Sequence, residues 1–196
     1  MDSFTYISVL LSIVLGLAIT RVLLAFRDLI LTRAKVKLYI PTLIWSGIAL
    51  LIPIQAWWAD FAMRKHPNWT FLALLVIMLQ ATSIYMVAAL VLPDISGQSF
   101  VDLREHFFAH RSWFFGALLA AVVLSLLKDP ALNGHLPHPV DGAFQLMFCA
   151  ASIAGVLTRN EWFHKVLAPA IGVLFIVYIA LLFGRLDTGP AYGSHG

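Results

Sequence analysis

Apolar residues along this chain run on in long unbroken blocks. They do not alternate with a period of two, which excludes the pattern of barrel strands. Six such blocks predict six helices, at about Phe4 to Phe26, Leu38 to Trp58, Trp69 to Leu92, Ser112 to Leu127, Val140 to Leu157 and Trp162 to Phe183. Each supplies roughly 16 to 23 residues, enough at about 1.5 Å per residue to cross about 30 Å of hydrocarbon with some adjustment. The fourth block is short unless the stretch "DLREHFFAHRSWFF" before it is included, and that stretch reads as an interfacial lead-in. Phe107, Phe108, Trp113 and Phe114 would enter lipid, with Arg104 and Arg111 as anchoring charge. The expected fold is all-α, a polytopic bundle of six transmembrane helices with short loops. It forms a single domain over residues 1–186, followed by a flexible C-terminal tail at 187–196.

Composition turns this pattern into a class. Of 196 residues, 61% are hydrophobic and 12% are charged, and the mean hydropathy is +0.88, so lipid is the solvent for most side chains. The start "MDSF" lacks the basic segment of a signal peptide, so the first block is expected to remain as a membrane helix. The net charge of +3 sits in short gaps between apolar blocks, which points to topology control and away from nucleic acid. Counted loop by loop, Arg21, Arg27, Arg33, Lys35, Lys37, Arg104, Arg111, Arg159 and Lys165 fall on one side. Arg64, Lys65, Lys128 and Arg185 fall on the other. Nine against four places the first side in the cytoplasm and both termini outside, in the periplasm of a bacterial host.

Polar residues within the blocks are costly in lipid and mark partners or cavities. Arg21 lies about one turn from the cytoplasmic end, where its stem can lie in the membrane and its guanidinium reach the interface. The alternative is an ion pair, with Asp28 on nearly the same helix face. Gln55, Gln80 and Gln145 can tie helices together or face a pathway, and Pro53 bends the helix that carries Gln55. Arg21, Gln55, Gln80 and Tyr85 are the candidates for a solute pathway.

The histidines offer a second chemistry. His106 and His110 have the i, i+4 spacing of two metal ligands on one helix turn, and His164 lies on the same side of the membrane. The competing reading is a polar face of the interfacial lead-in. The pair His135 and His138 lies in a turn-rich loop, and the sequon at Asn68 abuts the membrane. Cys149 is the single cysteine, a packing residue. No nucleophile elbow, phosphate-binding loop, dinucleotide fingerprint or zinc-protease motif occurs, so the chain leans away from enzymes. Trp69 and Tyr85 repeat the spacing of Trp162 and Tyr178, as in an inverted repeat, although two similar apolar helices give the same coincidence.

The segments "YISVLLSIVLGLAITRVLLAF", "HFFAHRSWFF" and "KVLAP" together resemble a family of small, uncharacterised bacterial inner-membrane proteins that span the membrane several times. The resemblance covers nearly the whole chain and implies a fold and a location but no activity. Three function classes follow from the residues. The first is a small ion or solute transporter or channel-like protein. The second is a non-catalytic membrane subunit or scaffold, as a homo-oligomer or with a membrane protein partner. The third is a metal- or haem-binding membrane protein using the cytoplasmic-side histidines. The lipid bilayer is the expected partner in each case, and no obligatory cofactor is implied.

Overall fold

A computed structural model describes residues 3–65, 69–95, 100–134 and 136–183. Among these residues six helices are long and apolar enough to cross a membrane. They are α1 (Ser3–Leu31), α2 (Ile40–Asp60), α3 (Phe71–Val91), α4 (Leu103–Asn133), α5 (Pro139–Leu157) and α6 (Glu161–Leu182). The chain is thus an all-α bundle built as an integral membrane protein. The tail expected at 187–196, His66, His135 and the sequon at Asn68 lie outside the described residues.

Local chemistry sets the helix starts. Asp102 caps α4, its Oδ1 accepting from the backbone N–H of Arg104 at 2.8 Å and of Glu105 at 3.3 Å. Asn160 caps α6 through Trp162 N–H, and Thr70 caps α3 through Ala73 N–H. Each side-chain oxygen satisfies a donor that the first turn leaves without a helical partner. α4 ends at Gly134, whose φ of 70° is the left-handed conformation that glycine adopts without steric cost.

Three boundaries differ by five residues or more from the sequence reading. α1 continues five residues further, to Leu31; α4 begins at Leu103, nine residues before the expected start, and ends at Asn133, six residues past the expected end. The lead-in is therefore the first third of a 31-residue helix about 46 Å long. Phe107 and Phe114 do not enter lipid; they are buried in the core, and Phe108 packs against it, while Trp113 is 75% exposed. Arg111 is buried too, at 4% exposure, so it is an interior group and not an interfacial anchor. The polar letters of this stretch hid a buried face that runs through Leu103, Phe107, Arg111, Phe114, Phe115 and Leu118.

Packing arranges the helices as a ring with one outlier. α2 packs on α3, α3 on α4, α4 on α5, α5 on α6, and α6 returns to α2. α1 lies against the outside of α2 and α3. The three-helix halves are not equivalent, since α1 packs extensively on α3 whereas α4 and α6 share no comparable contact, which argues against the inverted repeat.

One end of the ring is tied by charge. Short strands β1 (Val36–Lys37) and β2 (Val101–Asp102) pair in parallel, and Lys37 Nζ donates to Asp102 Oδ2 at 2.9 Å. That hydrogen bond holds the Asp102 carboxyl below its ordinary value. Glu161 accepts from both Arg104 and Lys165, joining α4 to α6 at the same end. Beside it, Tyr39 packs on Phe107 and Phe108, and burial pushes its phenol up to about 12. This is the end at which the sequence places most of the basic residues.

Candidate functional site

A chamber of about 80 Å³ lies inside the ring, with walls from α2, α3, α4, α5 and α6. Its lining is mainly apolar and aromatic, interrupted by Gln55, Gln80, Ser125, Gln145, Ser152 and Tyr178. Concave, largely apolar spaces with a few placed polar groups are the usual form of small-molecule sites. At a liquid volume of about 30 Å³ per water, the chamber holds about three water-sized groups. Among the described residues no charged side chain lines it.

Each polar group arrives on a particular helix face. Gln80 shares the buried stripe of α3 with Ala73, Ile77, Ile84 and Val87, which faces the bundle because the other faces of α3 are apolar and suit lipid. Gln55 lies two residues beyond Pro53, which lacks the N–H that would bond the Ala49 carbonyl in a regular helix. On α5, Asp141, Gln145, Phe148 and Ser152 follow helical spacing along one side. The Tyr178 hydroxyl donates to Asp141 Oδ1 at 2.8 Å and Gln145 Nε2 donates to Oδ2 at 2.9 Å, so Asp141 joins α5 to α6 at the chamber's edge.

Tight contacts lie toward both ends of the ring. Away from the basic end, Lys128 Nζ meets Asp60 Oδ1 at 2.8 Å, with side chains only 14% and 7% exposed. Lys128 is thus no loop charge; it lies within α4, because α4 runs past it to Asn133. Toward the basic end, Trp45 stacks edge-on against Phe114 and Phe115, at 5.4 and 5.1 Å between centroids. Below these rings His164 is fully buried among Phe107, Phe108, Phe115 and Phe163. Arg111 and His164 both donate to the Thr158 carbonyl at the end of α5.

Of the four pathway candidates, Gln55 and Gln80 line the chamber and Arg21 and Tyr85 do not. Arg21 belongs to the helix outside the ring and pairs with Asp94 at 3.0 Å, just beyond α3. Asp94 is 83% exposed, so the pair lies at an edge of the bundle, in keeping with a guanidinium that reaches out of the apolar layer. Asp28, the partner weighed from sequence, pairs with its neighbour Arg27. Tyr85 is half-buried and packs against the core one residue round from the Ile84 that reaches the chamber. The sequence singles out Tyr178 only for a repeat spacing, gives no signal at Ser125 or Ser152 taken singly, and leaves Gln145 between tying helices and facing a pathway, outside the four candidates. The readable signal was the stripe Asp141, Gln145, Ser152 on one helix.

The metal candidates do not converge. His106 and His110 stack with centroids 4.4 Å apart, but His106 Nε2 bonds the Leu90 carbonyl and His110 Nδ1 the His106 carbonyl. A carbonyl only accepts, so each of these ring nitrogens carries a proton, and the lone pairs are on His106 Nδ1 and His110 Nε2. His164 gives its Nε2 to Thr158 instead. Among the described residues no three histidine, cysteine or carboxylate side chains are grouped as a metal site would require.

Compared with known family models, curated proteins and solved structures, the chain matches none. The function must therefore be read from the ring and its chamber.

Proposed function

We propose that this is a small transporter or channel-like protein, which moves an ion or small solute through the centre of the five-helix ring. The observation that carries the reading is the chamber itself, whose wall brings three glutamines, two serines and a tyrosine together where lipid-facing helices have no use for them. The Asp60–Lys128 pair toward one end and the aromatic cluster toward the other are the contacts that a route through the ring would pass. The bacterial inner membrane, with the basic end in the cytoplasm, is the location that the loop charges and the family resemblance support.

Flux into proteoliposomes containing the purified chain tests the proposal. Wild type should move at least one ion or small solute faster than protein-free vesicles, and Gln55→Leu with Gln80→Leu should lower that flux. Equal fluxes for wild type, double variant and protein-free vesicles across ions and small solutes would overturn it.

A further inference from the structure

Polarity is distributed unevenly along the chamber. On each of the five ring helices a polar lining residue lies toward the Asp60 end: Gln55 on α2, Gln80 on α3, Ser125 on α4, Gln145 on α5 and Tyr178 on α6. One turn nearer the basic end, three or four residues away on the same face, each helix presents an apolar side chain instead: Ile52, Ile84, Val122, Phe148 and Phe175. The helices alternate in direction, so the polar residue follows its apolar neighbour in sequence on α2, α4 and α6 and precedes it on α3 and α5. The order in sequence inverts while the order in space holds. Ser152 is the exception, and its hydroxyl donates to the Phe148 carbonyl of its own helix at 2.8 Å. The chamber therefore has a polar half toward the Asp60–Lys128 pair and an apolar half toward the basic end.

The polar half has hydrogen-bonding capacity left over. Gln145 and Tyr178 are committed to Asp141. The side chains of Gln55, Gln80 and Ser125 make no hydrogen bond among the described residues, and their polar atoms are not sealed inside the protein. Gln80 is only 9% exposed, so the chamber is the space that its amide faces. Gln55 and Ser125 lie at similar depth, five residues before Asp60 and three before Lys128, the two that bond each other directly. Amides and hydroxyls both donate and accept, so this half suits a head group that does the same. An ion would lose its hydration without a counter-charge, since no charged side chain among the described residues lines the space. The apolar half rewards hydrocarbon and returns nothing to a molecule that is polar throughout.

We infer that the chamber takes a small neutral amphiphile, a hydrogen-bonding head on a short hydrocarbon tail, the class of short-chain primary amides and alcohols. The head lies in the polar half with Gln80, Gln55 and Ser125, and the tail points to the basic end among Ile84, Val122 and Phe175. The volume of about 80 Å³ limits the class to molecules of a few non-hydrogen atoms. This inference rests on the chamber of the transport reading and names the class of solute it takes.

Saturation-transfer NMR titrations of the full chain in nanodiscs, with empty nanodiscs as reference, test it with acetamide, propionamide, butyramide and hexanamide. Affinity should rise about fourfold per added methylene from acetamide to butyramide, the scale of one buried CH₂, and fall at hexanamide, which is too long for the space. Butyrate and butylammonium, with the same tail on a charged head, should bind no more than to empty nanodiscs. Gln80→Leu should weaken butyramide about tenfold, the scale of one lost hydrogen bond, and keep the gain per methylene. Gln55→Leu should weaken it similarly and carries the test if Gln80→Leu does not fold. Leu146→Ala, on the exposed face of α5, should leave binding unchanged. Affinity independent of tail length, equal binding of the charged homologues, or butyramide binding that neither glutamine variant weakens would overturn the inference. Flux of a solute in proteoliposomes with no amide binding would also overturn it and leave the transport reading standing. Amide binding of this pattern without flux of any solute would do the reverse.

Discussion

Arg111 on α4 and His164 on α6 donate to the same acceptor, the carbonyl oxygen of Thr158 at the end of α5. Three helices are thereby fastened at one backbone atom. The guanidinium also stands at a helix C-terminus, where the carbonyls carry partial negative charge, so its cation is favoured twice. Arg111→Leu should lower stability by about 2 kcal/mol, the range of a hydrogen bond to a charged group. His164→Phe, which loses one neutral bond within a cage of phenyl rings, should cost about 1 kcal/mol. Thermal unfolding in detergent ranks the two, and the reverse order would contradict the shared-acceptor account.

The pair Asp60 and Lys128 makes a different kind of prediction. Both side chains are largely buried, so removing one leaves the other's charge in a dry setting. Asp60→Asn or Lys128→Met alone should each cost about 3 to 5 kcal/mol, whereas the two combined should recover most of it. A double-mutant cycle in detergent measures the coupling. Additive losses would mean that the two charges do not depend on each other.

At Gly155 the backbone of α5 lies directly against the Phe115 ring of α4. A Cβ there would lie 2.6 Å from the ring of Phe115, a side chain with no exposed surface and walled in by Trp45, Phe107, Phe114 and His164. The ring has nowhere to move. Gly155→Ala should therefore destabilise by about 1 to 3 kcal/mol, and Phe115→Leu added to it should cost less than the two changes summed. Unfolding midpoints of the four proteins check this.

At the basic end, Lys37 holds the Asp102 carboxyl below its ordinary value of 3.8. A carboxyl whose folded-state value is depressed contributes stability that is complete above its unfolded value and fades as pH falls below it. Wild type should thus exceed Asp102→Asn in unfolding temperature at neutral pH, and the gap should close below about pH 4. Asparagine still caps a helix, so the comparison isolates the charge. A gap that stayed constant down to pH 3 would assign the effect to something other than the Lys37 partner.

Filling the chamber separates its role from that of the surrounding fold. Ala151 lines it, while Ile153 on the same helix is exposed on the outer side. Ala151→Phe should bring flux in proteoliposomes down to that of protein-free vesicles, with helix content by circular dichroism unchanged, and Ile153→Phe should leave flux intact. Equal flux in both variants would place the route elsewhere.

The six spans were legible because a helix in lipid must be apolar on its outer faces whatever it does inside, and long apolar runs need no partner to be recognised. α4 was misjudged for the same reason in reverse. His106 and Arg111 lower the hydropathy of its first turns, but in the fold they reach the Leu90 and Thr158 carbonyls and the helix simply continues. Gln55 and Gln80 stood out as polar letters in apolar text and do reach the chamber. Arg21 stood out equally and does not, because a single sequence gives the face a residue occupies but not which helix that face meets. Nothing in the text of α1 says that it lies outside the ring.

That arrangement also fixes an order of manufacture. α1, α2 and α3 can pack on one another as soon as they are in the bilayer, since each is a direct partner of the other two. The ring is different: it closes where α6 meets α2, a helix laid down early waiting for one made last. A nascent chain interrupted after α5 would present its glutamines and serines along an open cleft facing lipid. The chamber comes into being in a single step as the sixth helix inserts, and until then the half-built protein carries its most polar surface uncovered, the surface an insertion chaperone or quality-control protease would meet.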